Sequence, residues 1–172
     1  MGSFSLPLTR SPTSHFSHWL GPESGWVCFN VDAIVSASTS FGSVVGLLCD
    51  HTGSWLSGFQ KAIGVLQPLQ AELWALLIGL LFAWGPRIFF VQIHSDCVEV
   101  VKLIKADNAS TSLISLVRAI VALRQKGWVT NITWNPRDSN LPTDMLVKYV
   151  DPCCTNLFNY LCLLLHYCLY CL

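Results

Sequence analysis

A chain of 172 residues is long enough for one domain with a proper core, and too short for two unless one is very small. Hydrophobic residues make up 52% of it and charged residues only 12%, about half the usual share, which excludes a disordered chain and makes each charge informative. The formal net charge is zero, so a global electrostatic attraction to nucleic acid is excluded.

Residues 1–25 read as an N-terminal linker, Ser-rich and free of acids as far as residue 22, with an organellar transit peptide as the alternative. No apolar core of a secretory signal stands there, so the expectation is a reducing compartment with free thiols, the nucleus or the cytoplasm. The eight cysteines form no pair of CxxC motifs, and structural zinc is not expected.

Residues 27–35 (VCFNVDAIV) alternate, with Phe29, Val31 and Ala33 on one face and Cys28, Asn30 and Asp32 on the other, which predicts a strand. The runs VVGLLCD and SWLSGFQKAIG follow, separated by the turn-like Asp50-His51-Thr52-Gly53, and read as a hairpin. From Pro68 to Trp84 the apolar spacing becomes three and four, which predicts a helix opened by the proline and stopped by Gly85-Pro86. Residues 88–94 form a short apolar run, predicted as a buried strand ending at Ser95-Asp96. Two helices are predicted over 97–105 and 111–126, a last strand over 129–134 and a last short helix over 143–149. The order β-β-β-α-β-α-α-β-α places a meander beside crossover units, hence an α/β domain with a mixed sheet and helices packed on it.

Four acids stand out along this pattern. Glu72 is the only charge between Lys61 and Arg87, in a helix apolar on nearly every side; it needs a cation or hydrogen bonds, unless it is simply a first-turn carboxylate favoured by the helix dipole. Asp32 sits mid-strand, where Asp is disfavoured unless that face meets solvent. Asp96 precedes a helix with Glu99 three residues on, so it can be an N-cap; Asp144 follows Thr143 in a predicted first turn, where a negative charge is stabilising by itself. Taken together, the four can meet at the sheet edge where strand ends and helix starts converge. Carboxylates gathered there without compensating Lys or Arg repel one another unless a hard divalent cation, Mg²⁺ or Mn²⁺, neutralises them.

The segments GWVCFNVDA, LLCDHTGSWLSGF, QAELWALLIGL, IHSDCVEVVKLI and NPRDSNLPTDML resemble, in order and spacing, the reverse-transcriptase-like ribonuclease H domains abundant in plants and related to those of non-LTR retroelements. The resemblance covers residues 26–150. It implies a ribonuclease H-like fold, with a five-stranded sheet, and two bound Mg²⁺ (or Mn²⁺) ions held at the positions of Asp32, Glu72, Asp96 and Asp144, which are the catalytic as well as the metal-binding residues. The implied substrate is the RNA strand of an RNA/DNA hybrid, read through its 2′-hydroxyls and groove shape. The implied chemistry is in-line displacement at a phosphodiester, one metal lowering the pKa of the attacking water and the other stabilising the departing 3′-oxygen.

The chain departs from the family pattern at several places, among them the less glycine-rich turn SFGSVVG after the first strand and His94 where the family more often has an acid. Ala33 stands where Gly usually follows the first Asp, and Trp134 stands where a His often precedes the Pro-Arg-Glu/Asp segment; a Trp cannot shuttle a proton. These departures keep open an alternative, a retroelement-derived domain that binds nucleic acid with weak or no turnover. His94, two residues before Asp96, either supplies a proton near the site or simply packs.

Residues 151–172 form an apolar, Cys-rich tail, with sixteen of its last twenty residues apolar. A membrane anchor through 153–172 is borderline, because Thr155, Asn156, Asn159 and His166 interrupt the run; a packed helix or an unselected extension are the other readings.

Overall fold

The computed structural model describes residues 21–85 and 88–137. Along the chain come β1 (Val27–Val35), β2 (Phe41–Cys49), β3 (Trp55–Val65), α1 (Pro68–Trp84), β4 (Phe90–Ser95), α2 (Val98–Lys105), a 3-10 turn (Ala109–Thr111), α3 (Ser115–Arg124) and β5 (Val129–Trp134). The helix expected over 143–149, with Asp144 in it, the tail 151–172 and residues 1–20 of the linker lie outside the described residues.

The five strands form one sheet in the order β3-β2-β1-β4-β5. β1 runs antiparallel to β2, as does β2 to β3, while β1, β4 and β5 are parallel. This is the mixed sheet expected from the sequence. The β2–β3 turn is shaped by Asp50, whose carboxylate accepts hydrogen bonds from the Thr52 backbone at 2.8 Å, the Thr52 hydroxyl at 2.6 Å and the Ser54 backbone at 3.0 Å. Gly53 supplies the left-handed residue there, at φ 86°.

α1 matches its predicted limits. It is Leu- and Ala-rich, with Ile78 its one β-branched residue; Pro68 begins its first turn, and the Gln67 backbone N–H donates to Gln70 Oε1 at 3.2 Å. It lies against β1 and β2, where Gly79 permits the close approach: a Cβ there would meet Val31 Cγ1 at 3.0 Å. At this interface Phe82 of α1 meets Phe29 of β1 and Phe59 of β3, with ring centroids 5.6–5.7 Å apart. Each such pair contributes about 0.5–1.5 kcal/mol beyond the area it buries.

Several limits differ from the sequence reading: β4 is Phe90–Ser95 and not 88–94, α2 starts at Val98 and not 97, α3 ends at Arg124 and not 126, and two starts differ by more. β2 begins at Phe41, three residues earlier than the apolar run suggested, because its pairing with β1 continues to Gly42 opposite Val35. α3 begins at Ser115, not 111, because Ser112 Oγ accepts the Ile114 backbone N–H at 3.2 Å, a local bond that competes with helix there. Among the described residues, no helix is long and apolar enough to cross a membrane.

Candidate metal centre

The register of β1 against β4 positions two of the acids. The strands pair with a constant offset, from Val27 opposite Val91 to Asn30 opposite His94. Continued two residues further, the same offset puts Asp32 beside Asp96, just where β4 ends and the chain turns into α2. Glu72 comes from the second turn of α1, which packs on β1. The result is a cluster in which one carboxylate oxygen from each of Asp32, Glu72 and Asp96 lies within 4.8 Å of the others.

None of the three occupies the simpler role that its local sequence allowed. Asp32 does not face solvent; it is 0% exposed, and Oδ1 accepts the Ala33 backbone N–H at 2.8 Å. Glu72 is not a first-turn carboxylate, since the first turn of α1 holds no acid. Asp96 is not the N-cap of α2; that position is Cys97, whose backbone N–H donates to Ser95 Oγ at 3.1 Å. Asp144 lies outside the described residues.

Burial pushes the Glu72 carboxyl up to about 9, and the negative charges of Asp32 and Asp96 add to the effect; Arg137 and the Ala33 N–H pull the other way. Its Oε2 is buried with no hydrogen-bond partner among the described residues. Three hard oxygen donors, one of them an orphaned buried atom, fit a divalent cation such as Mg²⁺ or Mn²⁺.

Two neighbours that local sequence patterns did not single out as partners hold Asp96. Arg137 Nε lies 3.3 Å from Asp96 Oδ2, and the Trp134 indole N–H donates to the Asp96 carbonyl at 3.0 Å. The signal for both is the parallel pairing of β4 with β5, which sets Ser95 opposite Trp134 and is not written in either strand alone.

His94 packs. It is 2% exposed; its Nδ1 lies 3.2 Å from Asn30 Oδ1 and 3.3 Å from Cys28 Sγ, and Nε2 accepts from the Gln92 amide at 2.8 Å. Burial lowers its pKa to about 4, so at physiological pH it is a neutral imidazole enclosed by polar neighbours and not an imidazolium acid.

The reverse transcriptase-like family matches residues 30–150, most of the chain. The chain belongs to this family. A relative from Arabidopsis thaliana, named as a ribonuclease H protein, is 32% identical over 149 residues; the match covers 86% of this chain and 24% of that protein. The chain therefore spans about a quarter of the length of this curated relative. RNase H1 from Halobacterium salinarum superimposes with a TM-score of 0.61 at 23% identity, over 70% of this chain and 93% of that one. LC11-RNase H1, solved in complex with an RNA/DNA hybrid, superimposes with a TM-score of 0.62 at 15% identity, over 71% of this chain and 94% of that one. This reverse transcriptase-like chain has the ribonuclease H fold, with the five-stranded mixed sheet and three described helices.

Proposed function

We propose that this domain is a divalent-metal-dependent endonuclease that hydrolyses the RNA strand of RNA/DNA hybrids. The observation that carries the proposal is the convergence of Asp32, Glu72 and Asp96, three acids separated in sequence and brought within 4.8 Å by the fold. Asp144, which the family resemblance assigns to the same set, completes the proposed ligands. Membership of the reverse transcriptase-like family and a hybrid-bound neighbour of the same fold support the substrate class.

A bound divalent cation supplies charge neutralisation and Lewis-acid activation of water at the phosphodiester. The protein's own contribution is a rigid cradle. Asp32 is fixed by its strand and by the Ala33 N–H, and Asp96 by Arg137 and the β4–β5 pairing. Glu72 is held where its carboxyl stays protonated at neutral pH until positive charge arrives. We read Arg137, whose side chain is 65% exposed, as the group that meets a phosphate oxygen of the substrate.

A second reading, nucleic-acid binding with weak turnover, is favoured by Trp134, which offers no proton where the family often has His. One assay separates the two. The full chain is incubated with a labelled RNA/DNA hybrid in Mg²⁺ or Mn²⁺, beside Asp96→Asn. Metal-dependent cleavage of the RNA strand, lost by at least a hundredfold in Asp96→Asn, is the expected outcome. Binding of the hybrid by folded protein without cleavage in either metal sinks the nuclease and leaves the binding module.

A further inference from the structure

Trp134 is 49% exposed, although its indole N–H is tied to the Asp96 carbonyl at 3.0 Å. A large aromatic ring is thus anchored at the rim of the carboxylate cluster with half its surface in water. Arg137, which bridges to Asp96 three residues later, leaves most of its side chain in solvent at the same rim. An aromatic plane beside an exposed cation is the pairing that grips single-stranded nucleic acid, the ring stacking on a base and the cation meeting the backbone. A continuous duplex presents no free base face, because each is already stacked on its neighbours. An indole in this position gains most from a nucleotide that has left the stack.

Building on the nucleic-acid reading above, we propose that Trp134 is a positioning residue that stacks on an unpaired base, so that the domain prefers hybrids whose RNA strand continues as single strand beyond the duplex. The tether to Asp96 holds the ring in place before the substrate arrives, which reduces the ordering cost on binding.

The test measures Kd for two labelled hybrids of equal duplex length, one blunt and one with a single-stranded RNA overhang. Ca²⁺ replaces Mg²⁺ to fill the carboxylates, and the RNA is checked for integrity on a gel. Wild type is expected to bind the overhang substrate about 5- to 100-fold more tightly than the blunt one. Trp134→Ala and Trp134→Leu bind both at the blunt value, whereas Trp134→Phe, which keeps a ring but has no N–H, retains most of the preference. Trp134→Leu keeps apolar bulk, so its loss of preference separates stacking from packing even if Trp134→Ala folds poorly. Equal binding of the two hybrids by wild type, or a preference that survives in Trp134→Leu, overturns the stacking role and leaves the hybrid-binding reading intact. Failure of wild type to bind either hybrid overturns both.

Discussion

At neutral pH the Glu72 carboxyl holds a proton that an ordinary glutamate would have lost, because its pKa is raised from 4.5 to about 9 by burial and by two neighbouring acids. A folded-state pKa above the unfolded one makes a contribution that is complete below about pH 4.5 and is lost as pH rises toward 9. The metal-free protein is therefore expected to melt at progressively lower temperature across that window. Glu72→Gln should flatten the slope and add on the order of 2 kcal/mol at pH 7, read by thermal denaturation in EDTA. His94 has the opposite sign. Its pKa is lowered from 6.5 to about 4, so its contribution is present above pH 6.5 and is lost as pH falls through 4. His94→Gln should remove the part of the acid destabilisation between those values; an unchanged profile would mean that other groups set it.

At the scale of elements, the close fit of β2 against the Phe29 and Phe59 rings decides how much change the sheet accepts. A Cβ on Gly46 would fall 2.3 Å from Phe59 Cε1 and 2.4 Å from Phe29 Cε1, so both rings would have to move. Gly46→Ala is expected to cost about 1–3 kcal/mol through overpacking. The urea midpoint should fall while the slope stays constant, since the surface exposed on unfolding is unchanged. Most element limits were legible in the chain, α1 and β5 to the residue, because each carries its own periodicity and its own stop signal. The start of β2 and the start of α3 were not, since one is set by the pairing partner and the other by a serine side chain competing for a backbone N–H.

For the whole molecule, cation binding to the folded state alone should raise stability. Mg²⁺ or Mn²⁺ at a hundred times its Kd adds about 2.7 kcal/mol, visible as a higher melting temperature that Asp32→Asn and Asp96→Asn abolish. A melting temperature indifferent to either ion would remove the metal site. By itself the sequence determined the fold class, the order of strands and helices as far as β5 and the identity of the candidate acids, because periodicity, turn residues and a nearly charge-free background are local properties of the chain. It left each acid with a second, purely structural role, as a solvent-facing strand residue, a first-turn carboxylate or an N-cap. Only the tertiary structure removed those simpler roles for Asp32, Glu72 and Asp96, and Asp144 lies outside the described residues. The distance between Asp32 and Asp96 depends on the β1–β4 register, and the protonation of Glu72 on what α1 is packed against. The tether of Trp134 depends on the β4–β5 pairing, and no stretch of sequence carries the geometry of a second strand.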